Sequence, residues 1–141
     1  MIFTWNADLE TGEPEIDTQH KELVDKYNKL YVMCTTKAVK FEIDYMNAEI
    51  TKALRFLCAY TVKHFDDEEA LQVKCGFPDY ERHKQLHEAF KKRAVTLSEA
   101  FEKTGFTDQF ASIVYSQIGI WLLEHIQKED TKVAEYVKSH R

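Results

Sequence analysis

The chain carries six histidines, and five of them stand where an imidazole could grip a metal ion. His64 and Glu68 are four residues apart, as are His83 and His87. On a helix that spacing projects both side chains from one face, so each pair can hold an ion without help from elsewhere. His20 and His125 stand alone as histidines, but His125 is followed by Glu129 at i+4 and Asp130 at i+5. Helical geometry slightly favours Glu129 and does not settle which of the two carboxylates points inward.

A lone histidine on an apolar face is ordinarily a core residue satisfied by one hydrogen bond. Several in one layer are different, because buried polar groups need partners and imidazoles cannot easily satisfy one another, whereas a metal ion accepts several nitrogens at once. Five imidazoles with two carboxylates exceed what a tetrahedral zinc takes, and the HExxH pattern of zinc proteases is absent. Two adjacent ions fit better, since bridging carboxylates offset the charge of a dication pair in a low-dielectric interior. The Glu-x-x-His motif of ferritin-like di-metal bundles is also missing, because no histidine has Glu three residues before it.

Four amphipathic segments must position these residues. The first runs from about Thr18 to Lys37, with His20, Leu23, Val24, Tyr27, Leu30, Tyr31 and Cys34 at helical spacing and Asp17 as its expected cap. The second, about Asp44 to Lys74, has a stripe of Ile50, Leu54, Leu57, Thr61, His64, Glu68 and Leu71. Gly76-Phe77-Pro78-Asp79 stops it and opens the next. The third, about Tyr80 to Lys103, carries His83, His87, Phe90, Ala94, Leu97 and Phe101, and Gly105 ends it. The fourth runs from about Asp108 to Lys128 with Phe110, Val114, Gln117, Trp121 and His125, and Thr107 and Asp108 are its cap candidates. Val133 to Val137 continues as a short last helix.

Short connections between four such helices predict an all-α, antiparallel up-down-up-down bundle, preceded by an irregular arm reaching Pro14. In that topology the five histidines fall at one end of the bundle, in the core-facing stripes. Nothing divides the 141 residues, so one domain spanning 1–141 is expected. The scarcity of Gly (4) and Pro (2) fits long helices, and the net charge of -5 argues against a nucleic-acid partner. No run of about 20 apolar residues predicts a membrane span. Three cysteines without C-x-x-C spacing read as free thiols, which makes a cytoplasmic location the default. A monomer is the expected state.

The ordered motifs Ile16-Asp17-Thr18-Gln19-His20, His64-Phe65-Asp66-Asp67-Glu68-Glu69, Phe77-Pro78 leading to His83-x-x-x-His87, and Trp121-Leu122-Leu123-Glu124-His125-Ile126 with Asp130 resemble the hemerythrin family. Among its members the chain is similar to the single-domain bacterial ones, and the likeness extends from Trp5 to Asp130. The resemblance implies a non-haem di-iron centre: one iron on His83, His87 and His125, the other on His20 and His64. Glu68, Asp130 and an oxo or hydroxo group would bridge them. The choice of Asp130 over Glu129 rests on the resemblance alone.

By the same resemblance, dioxygen would bind reversibly at the iron with two histidines, for storage, delivery or scavenging; Trp121 and Leu122, within about one turn of His125, would either line the pocket or serve as ordinary core residues. An enzyme reducing peroxide or nitric oxide, or an oxygen, redox or iron sensor, are the alternatives. Thr11 and Glu13 flank Gly12 where the family tends to place apolar residues, which puts the packing of the arm in question. His140, in the charged C-terminus, is expected outside the site.

Overall fold

The computed structural model describes residues 1–35 and 43–140. Three long helices come first: α1 (Pro14–Thr35), α2 (Ile43–Cys75) and α3 (Tyr80–Thr104). A fourth rod follows, with α4 (Phe110–Val114), a π turn (Tyr115–Gly119), α5 (Ile120–Glu124), a second π turn (His125–Asp130) and α6 (Thr131–Ser139). The residues at every junction keep right-handed helical dihedrals, so the last helix continues the fourth without a loop.

Cross-helix pairs fix the topology. Gln19 reaches Asp67 and Lys26 lies over Tyr60, so α1 and α2 are antiparallel. Arg55 meets Glu102, Cys58 meets Ser98, and Glu69 meets His87, which makes α2 and α3 antiparallel. Phe101–Phe110, Phe90–Trp121 and Arg82–Glu129 do the same for α3 and the fourth rod. Tyr31–Tyr115 and His20–Asp130 close the ring back onto α1. This is the expected up-down-up-down bundle.

Several local expectations shift. The first helix begins at Pro14, four residues before Thr18, because proline suits a first helical position where its missing N–H is no loss. Asp17 is therefore inside the first turn and caps nothing; its carboxylate accepts instead from the Thr11 N–H (2.8 Å), the Thr11 hydroxyl (2.7 Å) and the Gly12 N–H (3.1 Å). Gly12 sits at φ 83, a conformation other residues rarely adopt, and this lets the arm turn back onto the helix. Lys138 donates to the Thr11 carbonyl, so the unusual Thr11 and Glu13 are buried within a polar clasp between the chain's two ends. Before it, a 3-10 turn (Ala7–Leu9) drives Leu9 fully into the core. The expected end of the first helix at Lys37 lies outside the described residues.

The close of α2 is a Schellman motif: Phe77 N–H bonds to the Gln72 carbonyl and Gly76 N–H to that of Val73, with Gly76 at φ 71. Asp79 stands at the N-cap of α3 but makes no cap bond; Arg82 takes its carboxylate. Gln109 occupies the N-cap of α4 without a side-chain bond, so neither Thr107 nor Asp108 plays the expected part. Gln117 also departs from expectation. It is exposed, and the buried face of the fourth rod runs Phe110, Val114, Ile118, Leu122, Ile126. The π turn at Tyr115–Gly119 fits more residues per turn, which rotates Gln117 outward and brings Ile118 in.

Two apolar clusters fill the bundle. The larger extends from Leu9, Leu30, Ile50 and Phe101 to Phe65, Leu122 and Ile126. The smaller joins Ile16, Val133, Ala134 and Val137 near the other end, with Leu71, Cys75 and Phe77 against it. A layer of histidines and carboxylates lies between them.

Candidate metal centre

Seven side chains form that layer, each at most 5% exposed: His20 from α1, His64 and Glu68 from α2, His83 and His87 from α3, and His125 and Asp130 from the second π turn. Their ligand atoms fall into two sets, each with its members within 4.8 Å of one another: Glu68, His83, His87, His125 and Asp130 in one, His20, His64, Glu68 and Asp130 in the other.

Glu68 and Asp130 belong to both sets, and each divides its oxygens between them. Glu68 Oε1 lies 2.8 Å from His83 Nε2 and 3.4 Å from His87 Nε2, while Oε2 lies 3.6 Å from His64 Nε2. Asp130 Oδ1 approaches His125 Nε2 (3.0 Å) and His83 Nε2 (3.1 Å), and Oδ2 approaches His20 Nε2 (2.7 Å) and His64 Nε2 (3.8 Å). One oxygen to each set is the arrangement of a carboxylate that bridges two ions.

Apart from His20 Nε2 with Asp130 Oδ2 (2.7 Å) and the His87–His125 contact, the inward polar atoms of this layer do not satisfy one another. His64 Nε2, His83 Nε2, both Glu68 oxygens and Asp130 Oδ1 are buried without a hydrogen-bond partner. His83 Nε2 and Glu68 Oε1 are 2.8 Å apart yet not aligned as donor and acceptor, and two imidazole nitrogens, of His87 and His125, face each other at 3.1 Å. Orphaned buried donors and acceptors cost on the order of 1–3 kcal/mol each. Atoms aimed at shared points rather than at each other are what a pair of cations would satisfy, and a mixed imidazole and carboxylate donor set suits transition-metal ions, iron among them.

Electrostatics agree. Burial and the neighbouring Asp130 push the Glu68 carboxyl up, but the imidazoles of His83, His87 and His64 outweigh them and hold it below its ordinary range. Burial likewise opposes ionisation of Asp130, yet His125, His20 and His64 hold it well below. Burial alone would lower His83, and the two carboxylates instead raise it to about 10. The surrounding imidazoles thus favour the ionised form of both carboxylates, the form that holds a cation.

Glu129 turns away from the layer. Its carboxylate is clamped by Arg82 at 2.7 and 2.9 Å. The cause is the second π turn, whose i to i+5 bonding stacks Asp130 with His125 where an α-helix would have offered Glu129.

The family model of the hemerythrin HHE cation binding domain matches residues 11–137. The chain belongs to the hemerythrin family. Bacteriohemerythrin of Stenotrophomonas maltophilia (strain R551-3) is 28% identical over 139 residues, spanning 99% of this chain and 84% of the relative. Bacteriohemerythrin of Methylococcus capsulatus (strain ATCC 33009 / NCIMB 11132 / Bath) is 30% identical over 135 residues, 92% of each. A crystal structure of wild-type hemerythrin superposes with a TM-score of 0.79 at 28% identity, covering 97% of this chain and 98% of that one.

Two of the far ring nitrogens, those of His64 and His87, have partners that motif spacing did not single out. His64 Nδ1 meets Gln19 Oε1 at 2.6 Å, and His87 Nδ1 meets Glu69 Oε2 at 2.8 Å. Gln19 precedes a histidine and Glu69 follows Glu68, so each is one step off the inward stripe. Only a structure reveals that they reach back across a helix interface. Trp121 stacks on His125 (4.5 Å, 11° between planes) and on Phe90, at the edge of a recess that it shares with Leu86 and Lys128. Leu122 is buried in the larger apolar cluster. His140 is exposed and stacks on Tyr136, outside the layer. No described helix is long and apolar enough to cross a membrane.

Proposed function

We propose that this member of the hemerythrin family binds dioxygen reversibly at a di-iron centre held by His20, His64, Glu68, His83, His87, His125 and Asp130. The observation that carries this reading is the division of the Glu68 and Asp130 oxygens between the two ligand sets. The set of His83, His87 and His125 offers one more residue than the set of His20 and His64, so an ion held by the latter would have fewer protein ligands and would be the one to take dioxygen. When bound, a ferrous pair supplies the two electrons that dioxygen takes up on binding and returns on release.

The protein's own part is to hold the donors and exclude water. Phe65 lies flat on His87 at 3.8 Å, and Leu122 and Ile126 close the apolar side. Such surroundings slow the escape of charged reduced oxygen and with it autoxidation. The two carboxylates would offset part of the ions' charge in the buried layer.

The test is a visible spectrum of iron-loaded protein, reduced without air, exposed to dioxygen and purged, with an iron count. Colour that comes with dioxygen and goes on purging, at two irons per chain, is expected. Irreversible oxidation at two irons would overturn the carrier reading and favour peroxide or nitric oxide reduction, or sensing. His64→Ala is expected to lose the second iron and the reversible colour together.

A further inference from the structure

His64 differs from the other histidines in what stands behind it. The Gln19 amide oxygen is 2.6 Å from His64 Nδ1 and can only accept, so the proton sits on Nδ1. Nε2 is then bare, and it is one of the orphaned atoms facing the second ligand set. The amide cannot turn round. Its Nε2 donates to Asp67 Oδ2 at 2.8 Å, and the same oxygen takes Lys63 at 3.1 Å. A flipped amide would set its oxygen against the Asp67 carboxylate.

The three-histidine set is backed differently. His87 Nδ1 meets a carboxylate, Glu69, at 2.8 Å, which makes the ring a stronger donor than an amide partner can. His20 Nδ1, by contrast, is buried with no partner. The set of His20 and His64 thus has fewer ligands and weaker backing, and Gln19 is the one side chain outside the set that orients either of its imidazoles with a hydrogen bond to the ring among the described residues.

We propose that Gln19 is a positioning residue that governs occupancy of the His20–His64 position alone, so the two metal ions bind in two unequal steps and Gln19 controls only the weaker one. This rests on the two-ion reading above. The orientation is relayed from Lys63 and Asp67 at the surface through Gln19 to a buried ring, which makes that exposed ion pair part of the metal site's support.

Calorimetric titration of the metal-free full chain with cobalt(II), which accepts the same nitrogen and oxygen donors, tests it, with d–d absorption as a second readout. The native chain is expected to take two ions in resolved steps. Gln19→Leu should leave the first step unchanged and weaken the second roughly 10- to 100-fold. The double variant Q19E/D67N keeps both hydrogen bonds, reversing the polarity only of the one between positions 19 and 67, gives His64 a carboxylate like that behind His87, and should restore the second step to native strength or above. Equal weakening of both steps in Gln19→Leu, no weakening, or failure of the double variant to restore binding would overturn the proposal. A native chain that takes fewer than two ions would instead overturn the two-ion reading, and this proposal with it.

Discussion

Glu129 and Asp130 are neighbours in sequence that face opposite sides of one rod: Asp130 Oδ1 lies 3.0 Å from His125 Nε2, while Glu129 holds Arg82 at the surface. Asp130→Asn removes a charge and a donor from both ligand sets and is expected to cost the protein most of its bound metal. Glu129→Gln should leave two ions in place. Elemental analysis of purified, iron-loaded variants decides this, and a Glu129→Gln protein as depleted as Asp130→Asn would show that the wrong carboxylate has been assigned.

Gly119 is packed directly on Tyr27. A methyl group there would sit 2.6–2.7 Å from two ring carbons and the hydroxyl oxygen of Tyr27, which is fully buried with that hydroxyl donating to the Met1 carbonyl. Gly119→Ala is expected to destabilise the fold by about 1–3 kcal/mol, the usual range for overpacking. Adding Tyr27→Leu should make the effect of the alanine smaller than in the native background. Urea unfolding of the four proteins gives the coupling, and strictly additive effects would mean that the two residues do not collide.

What could be read in advance follows from periodicity. The stripes of the first three helices depend on a 3.6-residue repeat, and His83, His87, Phe90, Ala94, Leu97 and Phe101 are all buried as that repeat requires. The five histidines were placed at one end of the bundle by topology alone. The fourth rod escaped in part because two π turns change its repeat, and no residue type in Tyr115–Gly119 or His125–Asp130 announces them. Gln117 and the ambiguity between Glu129 and Asp130 both trace to that. Capping failed where side chains had stronger partners elsewhere: Asp17 with the arm, and Asp79 with Arg82. The arm's clasp to Lys138 joins residues at opposite ends of the chain, which local patterns cannot show.

Trp121 offers an optical report on the centre. Its indole is stacked on His125, whereas the only other tryptophan, Trp5, lies near Lys21 on α1. In a Trp5→Phe background, emission should fall sharply as iron is added and recover on chelation. Unchanged emission at full loading would show that His125 does not carry metal.

Cys34 is 3% exposed, and burial pushes its thiol up to about 12. An unfolded thiol ionises near 8.5, so the contribution of this group to stability is complete below that pH and declines as pH rises toward the folded value. Iodoacetamide at pH 8.5 should label half-buried Cys75 well before Cys34 in the native protein, and both at similar rates in urea. Mass spectrometry of the labelled peptides checks it; equal labelling without urea would show that Cys34 is not sealed.

The polar layer divides the apolar interior, leaving Ile16, Val133, Ala134 and Val137 as a cluster of their own beyond it. Four small or medium side chains with a few half-buried neighbours do not hold a helix end for long by themselves. Amide protons of α6 and of the first turns of α1 should then exchange with solvent far faster than those of the central bundle when metal is absent, and slow toward the same rate when it is bound. The ions would act as a rivet, making one cooperative unit from two regions of unequal permanence.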